Sequence, residues 1–325
     1  MLPLAVSRGG SRIRDPIAEI LRAQPVIVLD GALATELERR GADLDDPLWS
    51  AKVLLEQPAL IRAVHRDYFD AGADVATSVS YQASFQGFAR RGIDAARAAE
   101  LMRLSVTLAI EARDEFLRSP QAQRRARPLI AASVGPYGAA LADGSEYRGG
   151  YARSDEDLTA FHRPRLAVLA SAGADLLACE TVPSLREALL LARLIAEFPA
   201  TCAWISFSCR DAEHTGEGQP IGECVQALAA YPQIVSVGVN CTSPAFIVPL
   251  LRRMRHRTAR PLLVYPNSGE TYDATTRSWR GDLHQAPLTA QACAWHAEGA
   301  RLIGGCCRTT PADIHAMRSG LAQCA

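Results

Sequence analysis

The chain has 325 residues, 48% of them hydrophobic and 22% charged, a globular composition that suits one large domain with a sizeable core. Lysine plus arginine equals aspartate plus glutamate, 35 each, which excludes an overall electrostatic footprint for nucleic acid or an anionic membrane surface. No apolar run reaches the ~18 residues of a membrane span, and the first 24 residues hold no signal-peptide core. A cytoplasmic protein is therefore expected, with its nine cysteines reduced.

Residues 1–24 read as an N-terminal extension with a lead-in helix, and 25–325 as one domain. Short apolar runs then recur at 26–30, 74–80, 129–134, 175–180, 202–208, 235–240, 262–267 and 301–306, most ending in small or polar residues as strands do at loops. Helical patterns lie between them, such as Leu60, Ile61, Val64 and Tyr68, or Leu101, Leu104, Leu108 and Phe116. Ala71-Gly72-Ala73-Asp74 and Ala172-Gly173-Ala174-Asp175 stand where a helix should stop, and Gly299 precedes the last run in the same way. Eight strands alternating with helices predict an α/β fold, a single (β/α)8 TIM barrel. The rival is an open doubly wound sheet; its dinucleotide-binding form should carry Gly-x-Gly-x-x-Gly after the first strand, whereas Asp30-Gly31-Ala32-Leu33-Ala34-Thr35 has one glycine.

Barrel active sites sit at the C-terminal ends of strands. Those ends carry Asp30, Ser80 with Tyr81, residues 135–138, Glu180 with Thr181, Cys209, Asn240 with Cys241, residues 267–270, and Cys306 with Cys307. Cys241 follows the sixth run and Cys306-Cys307 ends the eighth, and alternate strands of a barrel feed the same layer, so these sulfurs can converge. Three thiolates leave one corner of a zinc tetrahedron open, as in a catalytic site. They also more than neutralise Zn²⁺, which favours activation of a substrate thiol, whose free pKa is near ~8.5, over hydrolysis. Cys179, Cys202, Cys224 and Cys293 read as small core hydrophobes, while Cys209, at a strand end, is open. Gly304-Gly305 equally suits the phosphate-gripping loop that barrels build near strands seven and eight, so a phosphate-binding lyase or isomerase stands beside the metal site, and a non-enzymatic zinc store is a third reading. A Schiff-base version is disfavoured because the only lysine, Lys52, is far from any strand end.

Gly304-Gly305-Cys306-Cys307-Arg308-Thr309-Thr310-Pro311, with Val239-Asn240-Cys241-Thr242 upstream, resembles the paired zinc signature of the homocysteine S-methyltransferase family. The resemblance runs from about Val26 to Leu321. It includes Asp30-Gly31-Ala32-Leu33-Ala34-Thr35-Glu36-Leu37, Asp46-Pro47-Leu48-Trp49-Ser50, Thr77-Ser78-Val79-Ser80-Tyr81-Gln82-Ala83-Ser84, Gly135-Pro136-Tyr137-Gly138, Glu180-Thr181-Val182-Pro183 and Pro266-Asn267-Ser268-Gly269-Glu270-Thr271-Tyr272-Asp273.

The resemblance implies Zn²⁺ on Cys241, Cys306 and Cys307, with homocysteine methylated to methionine. It places the amino-acid-binding carboxylates at Asp30 and Glu180, and Asn240, Tyr81 and Glu270 complete the expected substrate-binding set. An aspartate before glycine is also a common turn former, the plain alternative for Asp30. Trp49, Tyr81, Tyr137 and Tyr272 are candidates to face a cationic donor, with packing under loops as their alternative. Segments 139–153 and 270–282 and Tyr81-Gln82-Ala83-Ser84 look like the branch that uses S-methylmethionine or S-adenosylmethionine. A betaine-type enzyme is the alternative, but the extension through which that enzyme associates is lacking, so a monomer is expected. Cys179 stands beside Glu180 where plant-type relatives carry an aromatic residue, implying a smaller side chain on that wall.

Overall fold

The computed structural model describes residues 13–44, 49–269, 271–273, 278–280 and 287–324, and of 49–51, 271–273 and 278–280 the backbone alone. Eight parallel strands form one sheet: β1 (Ile27–Val28), β2 (Val75–Thr77), β3 (Leu129–Val134), β4 (Leu176–Val182), β5 (Ala203–Phe207), β6 (Ile234–Asn240), β7 (Leu262–Tyr265) and β8 (Ala300–Ile303). Each pairs with its chain neighbour from β2 to β8, β8 pairs with β1, and a parallel bridge between Leu29 and Val75 completes the ring. The predicted barrel is thus the fold, and its closure rules out the open sheet. Outside the ring lie α1 (Pro58–Ala71), α2 (Ala95–Leu117), α3 (Asp155–Ala170), α4 (Leu185–Ile195), α5 (Ile221–Ala227), α6 (Pro244–Met254), α7 (Leu288–Ala297) and α8 (Pro311–Cys324). A short antiparallel ribbon, Thr271–Asp273 with Ser278–Arg280, interrupts the path from β7 to α7. The runs expected at 26–30 and 74–80 contract to Ile27–Val28 and Val75–Thr77, because beyond them the backbone leaves the ladder to present Asp30 and Ser80.

Strand alternation decides which side chains enter the barrel. Ala131, Leu176, Ala178, Trp204 and Leu263 pack together in the interior cluster. The residues one step further along the same faces, Ser133, Glu180, Ser206 and Tyr265, therefore point inward at the C-terminal end. The opposite faces pack against the helices in the larger core. Cys179 lies in that outer layer, so it does not form part of the Glu180 wall, contrary to the sequence expectation. Helix Pro16–Leu21 starts on Asp15, whose carboxylate accepts from Ala18 N at 3.0 Å, with proline at its first turn, and it packs Ile17 and Ile20 into the interior cluster.

The two Ala-Gly-Ala-Asp segments do the same structural work. Gly72 (φ +114°) and Gly173 (φ +89°) turn the chain after a helix in the left-handed region that glycine tolerates. The following aspartate then stitches a neighbouring strand: Asp74 accepts from Val28 N at 2.9 Å and Asp175 from Ile130 N at 2.8 Å. Asp74, 1% exposed, also binds Arg125 at 3.0 Å and Arg318 at 2.7 Å. Cys293 and Cys324 are joined as a disulfide between α7 and α8, which corrects the expectation that Cys293 is an isolated core residue.

Asp74→Ala should lower the unfolding free energy by ~3 kcal/mol in urea denaturation, because it strands two guanidinium groups and a strand amide. A loss below ~1 kcal/mol would mean that water replaces the carboxylate and that the buried network is not what anchors β1.

Candidate metal centre

Cys241, at the end of β6, and Cys306 and Cys307, just past β8, bring their sulfurs within 4.8 Å of one another. Cys307 Sγ is 3.7 Å from Cys241 Sγ and 4.0 Å from Cys306 Sγ, while Cys241 and Cys306 are joined as a disulfide. Among the described residues this is the one convergence of at least three histidine, cysteine or carboxylate groups with metal-binding spacing. Sulfurs bound to one tetrahedral zinc at ~2.3 Å would lie about 3.8 Å apart, so the two longer separations fit a thiophilic metal as they stand. Burial pushes the Cys307 thiol up to about 12, so a bound cation is what would make this sulfur anionic at neutral pH.

Backbone geometry explains the glycines. A Cβ on Gly304 would lie 2.6 Å from Leu29 Cβ, and one on Gly305 would lie 2.3 Å from Thr309 Oγ1. The amides of this stretch already donate: Gly304 N to Val264 O at 3.0 Å, Gly305 N to Asp30 O at 3.1 Å and Cys306 N to Pro266 O at 2.8 Å. Glycine here permits β8 to pass close to β1, and these three amides have none left for phosphate. The phosphate-binding lyase or isomerase reading is withdrawn on this ground.

Two carboxylates share the barrel mouth. Asp30 accepts from Thr77 N at 2.7 Å and Thr77 Oγ1 at 3.1 Å; burial raises its pKa to about 8, with a further push from Glu180. Burial raises Glu180 to about 7 against the hydrogen bonds it receives from Ser133 and Tyr265. Among the described residues neither has a guanidinium partner, so ionisation of either leaves a buried charge without a cation beside it.

Asn240 is fully buried. Its Oδ1 accepts from Thr181 N at 2.7 Å and Ser206 Oγ at 2.8 Å, and its Nδ2 donates to Thr181 Oγ1 at 2.7 Å and lies 4.0 Å from Cys306 Sγ. These contacts tie β4, β5 and β6 to the sulfur cluster. Tyr81 lines the same mouth: its hydroxyl bonds Thr181, and its carbonyl accepts from Gly135 N at 3.1 Å and from Arg165 Nη2 at 3.0 Å. Tyr137 packs against Tyr151 and Phe161 at centroid distances of 5.3 and 5.0 Å, with Arg153 over its ring, which is the packing alternative. Glu270 lies outside the described residues, as do the side chains of Trp49 and Tyr272. Cys209 is half-buried, and its amide donates to Thr242 Oγ1 at 3.0 Å.

Sequence reasoning missed Thr77, Ser133, Ser206, Tyr265 and the fully buried Arg165. Inward alternation along β2 to β7 would have found the first four. Nothing local marks Arg165, which reads as one more helix-surface arginine yet donates to Gly135 O at 3.2 Å as well as to Tyr81 O.

A family model described as homocysteine S-methyltransferase matches residues 27–321. Homocysteine S-methyltransferase YbgG of Bacillus subtilis (strain 168) is 54% identical over 301 residues, 92% of this chain and 96% of that protein. Crystal structures of the homocysteine methyltransferase MmuM from Escherichia coli, in metallated and oxidized forms, align with TM-scores of 0.85 at 49% and 50% identity, over 94% of this chain and 99% of theirs.

Titration of reduced protein with Cd²⁺ should develop an ultraviolet thiolate-to-metal band that Cys306→Ser weakens strongly, and metal-loaded protein should keep Cys241 and Cys306 titratable under mild oxidant. An unchanged band in Cys306→Ser, or equal oxidation with and without metal, would contradict the assignment of the three sulfurs to one ion.

Proposed function

This chain belongs to the homocysteine S-methyltransferase family and methylates homocysteine; we propose that it does so with Zn²⁺ on Cys241, Cys306 and Cys307 and with a sulfonium compound, S-methylmethionine, as donor. The observation that carries this reading is the position of three converging sulfurs beside two buried carboxylates that have no guanidinium partner among the described residues. A substrate fitting both features bears a thiol and an ammonium on one short chain, which describes homocysteine.

Bound zinc would hold the substrate sulfur as a thiolate at neutral pH. Asp30 and Glu180 would receive the ammonium, fixing the amino-acid end, while Asn240 acts behind the site by holding Thr181 and the Cys306 side of the cluster. The sulfur lone pair forms a bond to the methyl carbon as the donor's sulfur–methyl bond breaks, and the donor sulfur leaves neutral. No general base is needed at that step, and holding both sulfurs in line supplies much of the acceleration. Tyr81, walled in by Gly135 and Arg165, offers a fixed aromatic surface toward the cationic donor.

The carboxylates set the pH dependence. Their folded pKa values, about 8 and about 7, stand above the unfolded carboxylate range, so the stability tied to their protonated forms is present at acid pH and is lost as pH rises through these values. An ammonium in the site offsets that loss. Without ligand, melting temperature should fall from about pH 4.5 to about pH 7 more steeply in wild type than in Glu180→Gln, and methionine should stabilise wild type increasingly as pH rises through about 7 and about 8. Glu180→Gln should also raise the KM for homocysteine with zinc content unchanged; loss of zinc would move Glu180 into the metal shell.

Competition at equal concentrations among S-methylmethionine, S-adenosylmethionine and betaine should yield demethylated product chiefly from S-methylmethionine and none from betaine. Betaine turnover, or preference for S-adenosylmethionine, would overturn the donor assignment while leaving the metal centre standing.

A further inference from the structure

Two amino acids must meet at this barrel mouth, and each brings an ammonium group with three donors and no acceptor. Inside a site that excludes water, each needs negative charge and hydrogen-bond acceptors of its own. Asp30 and Glu180 act on one another and form one such place.

A separate buried carboxylate lies in the connection between β3 and α3. Glu146 sits in the short 3₁₀ turn Ser145–Tyr147, and its backbone is pinned: Ser208 Oγ donates to Glu146 O at 3.0 Å, and a Cβ on Gly138 would lie 2.5 Å from Glu146 N. The residue is 9% exposed, and its Oε2 has no hydrogen-bond partner among the described residues. The nearby charges, Asp143 and Arg148, turn elsewhere: Asp143 Oδ1 accepts from Ser145 N at 2.9 Å, and Arg148 Nη2 donates to Asp143 O at 3.2 Å.

Position links this carboxylate to the chemistry. The neighbouring Tyr147 hydroxyl bonds the Cys307 sulfur, and both Cys307 and Tyr81 feel Glu146 more strongly than they feel Glu180. Glu146 therefore borders the sulfur cluster at the side of Tyr81. Gln82 Oε1 and Asn267 Oδ1, on the loops after β2 and β7, are further buried acceptors without partners among the described residues.

We propose that Glu146 receives the ammonium group of the amino-acid methyl donor, giving the mouth a second cation site separate from Asp30 and Glu180; this rests on the sulfonium-donor reading. Glu146 then selects donors that are amino acids over sulfonium compounds that lack the amine, and it fixes the distance between donor ammonium and zinc-side sulfur.

The test is Glu146→Gln, which keeps the shape and removes the charge. At saturating homocysteine the KM for S-methylmethionine should rise about ten- to a hundred-fold, with the homocysteine KM, zinc content and melting temperature close to wild type. 4-(Dimethylsulfonio)butanoate, which lacks the amine, should compete poorly with S-methylmethionine in wild type and lose that disadvantage in the variant. Gly138→Ala, which must displace the Glu146 backbone, should raise the donor KM in the same selective way. An unchanged donor KM in Glu146→Gln, or an equal rise for homocysteine, overturns the proposal. A wild-type enzyme that uses no sulfonium donor at all ends the donor reading itself, and that result appears before any variant is made.

Discussion

Three sulfurs must reach one point from two strands that are not adjacent, and most of the distinctive features at the C-terminal end of the barrel serve that requirement. β7 separates β6 from β8, so the chain after each has to bend toward the axis. Cys241 does so at φ +47°. Thr181 (φ +59°) and Arg308 (φ +68°) flank the same mouth in the left-handed region. A non-glycine residue there costs on the order of 1 kcal/mol or more. Asn240 offsets part of that cost at Thr181 by bonding both its amide and its hydroxyl. Gly304 and Gly305 permit β8 to lie against Leu29 and Thr309, which brings Cys306 and Cys307 inward.

The same enclosure that gathers the sulfurs removes water from the carboxylates around them. Asp30, Glu180 and Glu146 all titrate above the ordinary carboxylate range because burial disfavours their charge. Asp30 and Glu180, with no lysine or arginine partner among the described residues, cost the fold stability as they ionise, which an amino-acid ammonium would return on binding. The lower end of the barrel is built the other way: Asp74 is buried and Asp175 half-buried, and both are paired with arginines and strand amides. Stability is secured at one end and withheld for ligands at the other.

Much of this was legible in the sequence for identifiable reasons. Eight apolar runs with polar ends report strands because alternation and strand length follow directly from residue order, and all eight runs correspond to strands. Cysteines at the ends of the sixth and eighth runs could be brought together from barrel topology alone. What sequence order could not convey was side-chain partnership across the barrel. Asn240 reads as a substrate contact through the family resemblance, but nothing in residue order shows that its amide also engages Thr181 and Ser206. Gly304-Gly305 was compatible with a phosphate loop until the amides could be followed to Val264 and Asp30. Arg165 and Glu146 lie in a helix and a loop whose local patterns are ordinary, and their burial comes only from the packing of the β3–α3 connection over the mouth.

The proposed mechanism turns on a single coordination event, in which the homocysteine sulfur would complete a zinc site whose other three ligands would be Cys241, Cys306 and Cys307. X-ray absorption at the zinc edge, recorded on reduced, zinc-loaded protein before and after addition of homocysteine, reads that event directly. Sulfur coordination should rise from three to four, with no such change on adding homoserine, which has the same ammonium and carboxylate but no thiol. A zinc shell that keeps three sulfurs in the presence of saturating homocysteine, or that already holds four sulfurs without it, would contradict the account.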